Sequence, residues 1–232
     1  MKTIGIIGAM EEEVASLQKK IEVVAVKSAV GLQFYVGKYA GNSVIVVKSG
    51  IGKVNAAVCT QALIDLFGVD YVINIGVAGA VSDELHICDI LISKDAMQHD
   101  MDTTAFGDPI GVIPRLSVSS FPADEELIAL AKQAAEETEG DFHVMVGRVA
   151  SGDQFISTQE GRDRIRKNVK GDCAEMEGAA IAHACWLNRI PFVIIRAISD
   201  SANEEAGMSF DKFCQVAAER GSDIVFKMLE KM

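Results

Sequence analysis

Paired cysteines, prolines, aromatics and long apolar runs are all scarce in this 232-residue chain, and each scarcity excludes something. The five cysteines, at 59, 88, 173, 185 and 214, are odd in number and scattered, with no C-x-x-C pair. They predict reduced, mostly buried thiols in a cytoplasmic setting, not a disulfide framework. Histidines 86, 99, 143 and 183 are equally dispersed, so no zinc site is expected. No apolar run approaches the roughly 20 residues of a membrane helix. The longest, over 71–81, is interrupted by Asn74. The opening MKTIGIIGAMEEEV is too short and too acidic for a signal-peptide core. Positive charge is the minority: 22 Lys and Arg against 33 Asp and Glu leave a net −11. That excess repels phosphate backbones and anionic lipid, so neither nucleic acid nor membrane is an expected partner. The one compact basic cluster, Arg162, Arg164, Arg166, Lys167 and Lys170, is interrupted by acids and reads as a solvated helix face.

What is present is the composition of a globular protein, 49% apolar and 24% charged. Strand-like and helix-like runs alternate along the whole chain. Strands are predicted over 2–8, 33–40, 43–49, 71–76, 89–93, 143–150 and 191–199, the second and third joined at Gly41-Asn42 as a hairpin. Helices are predicted over 11–21, 52–67, 124–137, 158–168, 175–187 and 209–231 from apolar residues at helical spacing. Residues 97–123 lack periodicity, hold three of the four prolines and read as a long excursion from the core. The pattern predicts a layered α/β domain with a largely parallel sheet, helices on both faces and one antiparallel hairpin. Ligands in such folds sit at the carboxyl ends of strands.

Three strand ends carry acids: Glu11, Glu12 and Glu13 after the first strand, Glu175 and Glu177 after 173–174, and Asp200 after the last. Each alone could be a helix cap or a dipole partner. Converging carboxylates in a dry pocket are also how a protein makes an acid and a base at neutral pH. The glycine segments fit no nucleotide fingerprint: residues 5–10 lack G-x-G-x-x-G spacing, and residues 49–53 carry Val54 where a Walker loop needs Ser or Thr. Residues 50–53 leave backbone amides bare at a helix start, which suits an anion or a water, whereas 76–79 either lets a ligand approach the backbone closely or is a plain strand-to-loop turn. Ser151 is not in a nucleophile elbow. His183, on an alanine-rich helix, reads as a packed histidine. Phe155 reads first as core, with stacking on a flat ring as the alternative.

Read in order, Gly5-Ile-Ile-Gly-Ala-Met-Glu-Glu-Glu-Val14, Lys48-Ser-Gly-Ile-Gly-Lys-Val-Asn55, Asp102-Thr-Thr-Ala-Phe-Gly107, Ser151-Gly-Asp-Gln-Phe-Ile156, Glu175-Met-Glu177 and Arg196-Ala-Ile-Ser-Asp200 span nearly the full chain. Together they resemble the 5′-methylthioadenosine/S-adenosylhomocysteine nucleosidase family, within the purine nucleoside phosphorylase-type fold. The resemblance implies one three-layer α/β domain over 1–232, its mixed, mostly parallel twisted sheet flanked by helices. It implies hydrolysis of an N-glycosidic bond, releasing adenine from a 5′-substituted ribose in methionine salvage and methyl-cycle detoxification, without metal or cofactor.

Carried over by motif, Asp200 would protonate adenine N7, with Ser199 helping to hold it, and Glu13 would activate the attacking water. Glu177 would bind the ribose hydroxyls, with Met176 against the sugar; Glu175 and Arg196 belong to the same two motifs and would join the binding set. Phe155 would stack on adenine and the backbone of Ile156 would read its edge. Ile51 and Phe210 would line the thioalkyl pocket. Phe106 and Pro114 would reach a neighbouring subunit's pocket in a homodimer. Val77 departs from the family pattern, which often has serine there. The choice among 5′-methylthioadenosine, S-adenosylhomocysteine, 5′-deoxyadenosine and aminodeoxyfutalosine stays open on these residues. Rival readings are a phosphorylase of the same fold and a non-catalytic nucleoside-binding protein.

Overall fold

The fold comes from a computed structural model that describes the backbone of residues 1–200 and 210–232; the side chains of Asp200 and of 210–218 lie outside the described residues. In chain order the elements are β1 (Thr3–Gly8), α1 (Glu11–Lys20), β2 (Glu22–Ala29), β3 (Leu32–Tyr39), β4 (Asn42–Lys48), α2 (Lys53–Phe67), β5 (Tyr71–Ala80), β6 (Ile90–Gln98), β7 (Ser120–Pro122), α3 (Glu125–Glu136), β8 (Val144–Ser151), α4 (Gln159–Val169), β9 (Cys173–Glu175), α5 (Gly178–Asn188), β10 (Phe192–Asp200) and α6 (Phe210–Leu229).

Strand periodicity explains the layers. Ile4, Ile6, Val44 and Val46 point to one face of the sheet, where Val14 and Leu17 of α1, Leu127 and Ala131 of α3, and Ile224 and Met228 of α6 cover them. Their neighbours Ile7, Ile45 and Val47 point the other way, against Cys59 and Leu63 of α2 and Ala179, Ile181 and Cys185 of α5. Strands buried on both faces are near-continuously apolar, which is why β1, β4 and β10 stand out in the sequence. Local capping fixes the helix starts: Asp124 Oδ1 accepts from the Leu127 amide at 3.0 Å and Thr158 Oγ1 from the Gly161 amide at 3.1 Å.

The sheet runs β10-β6-β8-β9-β5-β1-β4-β3-β2, and β10 also pairs with β5, so five of its strands close on themselves. Parallel ladders join β1 to β4 and β5, β10 to β5, β6 to β8, and β8 to β9. Antiparallel ladders extend well beyond the single expected hairpin: β2–β3, β3–β4, β6–β7, β10–β6 and β5–β9. The last two close the ring, and pairing between strands so distant in sequence leaves no local signature.

Several boundaries differ from expectation for physical reasons. β5 continues to Ala80, so Gly76-Val77-Ala78-Gly79 is strand, its outer part held by β10 and then by β9. β6 runs to Gln98 and β7 pairs with it, so the irregular middle starts and ends in the sheet. β2, not predicted, is an edge strand with Val23, Val24 and Val26 exposed, and lacks the two-faced alternation that marks a half-buried strand. Helix α5 starts at Gly178, leaving Glu175 in β9 and Glu177 as its N-cap. Cys59, Cys173 and Cys185 are buried, and burial pushes the Cys59 thiol up to about 12.

Candidate active site

The ring closure brings strand ends together. Gly79 of β5 is in register with Ala174 of β9 and with Asp200 of β10, and Ser151 of β8 with Glu175 of β9. A cavity of about 230 Å³ opens there, lined by Glu13, Val77, Phe155, Met176, Glu177 and Ser199 among others.

Of the three glutamates after β1, only Glu13 turns inward. Glu11 sits at the surface, 2.9 Å from Lys48 Nζ, and Glu12 is exposed. Glu13 stands at the third position of α1, and its Oε2 accepts from the Ala9 and Met10 amides at 2.6 and 3.0 Å. Its Oε1 accepts from the Val77 amide at 3.2 Å. The carboxylate therefore caps its own helix and faces the cavity as well, so the capping and functional readings both hold. Burial raises its pKa, with Arg196 and the three amides opposing. Gly76 makes this fit possible: a Cβ there would lie 2.6 Å from Glu13 Oε1.

Glu177 is equally buried, at 7% exposure, and its Oε1 accepts from the Gly52 amide at 2.8 Å. Gly52 has φ 96°, a left-handed conformation that glycine adopts without steric cost, and this aims its N–H at the carboxylate. Burial first and the neighbouring Glu175 second push the Glu177 pKa up to about 7.

Beneath the cavity lies a buried ionic network. Glu175 accepts from the Ser151 hydroxyl, from the Gly178 amide at 2.8 and 3.0 Å, from the Glu177 amide at 3.2 Å, and from Arg196. Arg196, 1% exposed, also donates to Asn74 Oδ1 at 2.5 Å, and Asn74 in turn donates to the Ile7 carbonyl at 2.9 Å. Expected among the binding residues, Arg196 is instead sealed under the floor and absent from the lining. Glu175 reaches the lining, yet its carboxylate is consumed by the network. Asn74 and Ser151 were not anticipated as parts of the site. The available signal was Asn74 itself, a polar residue in an apolar strand that must find a partner when buried.

The apolar side of the cavity holds Ile51, Val77, Ala78 and Met176. Phe155 is 73% exposed at the rim, so its default reading as core is overturned: the 152–158 loop carries it outside the packed layers. Ile156 packs against the small cluster that holds Ala150 and Ile165 and is absent from the cavity lining. Ser199 Oγ donates to the Ala78 carbonyl at 3.3 Å. Asp200 ends β10, opposite Gly79; its side chain, and that of Phe210 at the start of α6, lie outside the described residues. Phe106, 88% exposed, and Pro114, also exposed, stand away from this chain's cavity. His183 stacks on Phe121 with ring centroids 4.5 Å apart, a packing role as expected. The basic cluster is only partly a solvated face: Arg162 is buried and Arg166 pairs with Asp83 at 2.8 Å.

Chemically, a strongly buried carboxylate bordering an apolar pocket can take a proton from a water. A second one nearby can accept hydrogen bonds from a polyol. Among the described residues no His, Cys, Asp and Glu cluster could hold a metal ion, and no helix is long and apolar enough to cross a membrane.

The phosphorylase superfamily matches residues 3–230. The 5′-methylthioadenosine/S-adenosylhomocysteine nucleosidase of Staphylococcus carnosus is 44% identical over 230 residues, 99% of this chain and 100% of that one. The corresponding nucleosidase of Neisseria meningitidis, solved with methylthio-immucillin-A, superposes with a TM-score of 0.93 at 42% identity over 100% of both chains. That of Colwellia psychrerythraea, solved with adenine, gives a TM-score of 0.91 at 40% identity, covering 98% of this chain and 94% of the other. The chain belongs to the 5′-methylthioadenosine/S-adenosylhomocysteine nucleosidase family, within the phosphorylase superfamily.

Proposed function

We propose that this chain hydrolyses the N-glycosidic bond of 5′-methylthioadenosine and S-adenosylhomocysteine through Glu13 and Asp200, releasing adenine and the 5′-substituted ribose. The observation that carries the reading is the Glu13 carboxylate, buried at the cavity wall, held by three backbone amides and raised in pKa by burial. It takes a proton from water as the water attacks C1′ of the ribose. Purine leaves poorly until N7 is protonated, and Asp200 at the end of β10 supplies that proton. Proton transfer by a positioned acid or base contributes about 10² to 10⁴ in rate. The rest comes from carboxylates around the oxocarbenium-like state and from positioning. Glu177 accepts from the ribose hydroxyls, Met176 packs on the sugar, Phe155 stacks on adenine with the Ile156 backbone at its edge, and Ile51 and Phe210 take the 5′ substituent.

Water is favoured over phosphate as the nucleophile. The one lysine of the 50–53 loop, Lys53, is committed to Asp100 at 2.6 Å, and Glu13 would repel an anion. The reading includes a homodimer, supported by the apolar surface of α2 and α5, where Val54 and Leu187 are 74% and 60% exposed, and by the exposed ring of Phe106. Sedimentation would report its mass.

The test of function is adenine release from a panel of 5′-substituted adenosines at varied phosphate. Adenine and the free 5-substituted ribose at a phosphate-independent rate are expected; the 5-substituted ribose 1-phosphate would make the chain a phosphorylase. Asp200→Asn should abolish release while substrate still binds. Release at near wild-type rate would remove Asp200 from the acid's role, and binding without release in the wild type would leave a nucleoside-binding protein.

A further inference from the structure

Three polar residues outside the cavity lining close a circuit between loops that border it. Lys53 Nζ donates to Asp100 Oδ1 at 2.6 Å and to Gln98 Oε1 at 3.0 Å. Asp100 Oδ2 accepts from the Asp153 amide at 2.8 Å. Asp153 Oδ1 accepts from the Lys53 amide, also at 2.8 Å. The Lys53 and Asp100 side chains keep only 18% and 13% of their exposure, unlike an ordinary surface pair. Lys53 opens α2, Asp100 follows β6 and Asp153 follows β8, so one circuit ties three separate parts of the chain.

We propose that Lys53, Asp100 and Asp153 form a latch of positioning residues that holds the 50–53 loop and the 152–155 loop in register across the mouth of the site. The inference rests on the nucleosidase reading of that site. None of the three lines the cavity, so they act through neighbours. Gly52, adjacent to Lys53, gives Glu177 a backbone hydrogen bond at 2.8 Å. Asp153 lies two residues before Phe155, whose exposed ring has no core to hold it. The buried ring of His99 lies under the same loop, where a Cβ on Gly152 would meet it at 2.5 Å, so the loop cannot sink to compensate. Opening the circuit therefore withdraws a donor from Glu177 and loosens the platform for the base in one event.

The experiment compares Lys53→Met, Asp100→Asn, their double variant and Lys53→Arg with the wild type. It reads kcat/KM for 5′-methylthioadenosine across pH and adenine affinity by calorimetry. Glu177 is faced by Glu175 of β9, Arg196 of β10 and Glu13 of α1, none of which bonds to the latch, so a shift of its titration reports the lost Gly52 contact. Each single variant should lose about tenfold or more in kcat/KM, since small misplacements at a site are costly. Its acid limb should move to higher pH and adenine should bind more weakly. The double variant should lose no more than the worse single one, and Lys53→Arg should restore most of the rate. Unchanged kcat/KM and acid limb in both single variants, or losses that multiply in the double one, would overturn the latch. Should Lys53→Met not fold, Asp153→Ala removes only the acceptor for the Lys53 amide and must show the same changes. Adenine calorimetry needs no turnover, so a wild type that binds adenine but releases none would refute the nucleosidase reading and leave the latch to be judged on affinity alone.

Discussion

Replacing Arg196 by methionine should destabilise the protein in a pH-dependent way. Arg196 is 1% exposed and bonds Glu175 and Asn74, and its charge also lowers the pKa values of Glu13 and Glu177. Removing one partner of a buried pair leaves the other charge uncompensated, at about 3–5 kcal/mol. In a domain of this size each kcal/mol is worth roughly 2–4 °C of Tm, so a fall of roughly 6–20 °C is expected. The sign with pH follows from Glu13 and Glu177. Both are raised above their ordinary values by burial, and without Arg196 both rise further. The folded state then holds more protons than the unfolded state, and stability falls as pH rises. Urea denaturation at about pH 5.5 and about pH 8 would measure both effects, the deficit being larger at the higher pH. A Tm within about 2 °C of wild type at the higher pH, or a deficit that grows on acidification, would refute the network as drawn.

Three further outcomes follow from single contacts. Phe155→Ala should leave stability within about 0.5 kcal/mol of wild type, because the ring is exposed, yet raise KM roughly 5- to 150-fold through lost stacking of about 1–3 kcal/mol; thermal melts and steady-state kinetics check both. Gly76→Ala puts a Cβ 2.6 Å from Glu13 Oε1 and should lower kcat by about 10² or more while the protein still folds, as circular dichroism would report. Glu177, raised from 4.5 to about 7, keeps its proton in the folded state where the unfolded chain loses it, so its contribution is complete below pH 4.5 and lost as pH rises through about 7. At 1.36 kcal/mol per pH unit that interval is worth about 3 kcal/mol, and Glu177→Gln, which cannot ionise, should gain that much on the wild type between acid and alkaline urea titrations.

How much of this was legible in the sequence depends on how local each cause is. The succession of strand-like and helix-like runs is local, and it predicts the layered α/β class directly; the caps at Asp124 and Thr158 stand where the helices expected from 124 and 158 begin. Strand ends, where this class of fold concentrates its ligands, single out Glu11 to Glu13, Glu175, Glu177 and Asp200 together; the choice of Glu13, Glu177 and Asp200 among them comes from the family resemblance. The ring closed by β5–β9 and β10–β6 was hidden because those pairings span distant segments. Arg196 and Glu175 were grouped with the binding residues because motif adjacency says nothing about depth; only packing puts the guanidinium below the floor. Local sequence leaves Phe155 between core and ring platform, because an apolar ring defaults to burial; its loop carries it to the rim. The Lys53–Asp100–Asp153 circuit joins positions 47, 53 and 100 residues apart, and no periodicity announces it.

The central claim is that a water activated by Glu13 replaces adenine at C1′. Turnover of 5′-methylthioadenosine in oxygen-18 water, followed by mass spectrometry of both products, tests it most directly. One labelled oxygen in the 5-methylthioribose and none in the adenine is the predicted result, and the labelled product should vanish in Glu13→Gln. Unlabelled sugar, a sugar 1-phosphate, or a Glu13→Gln variant that still forms labelled sugar at the wild-type rate would contradict it.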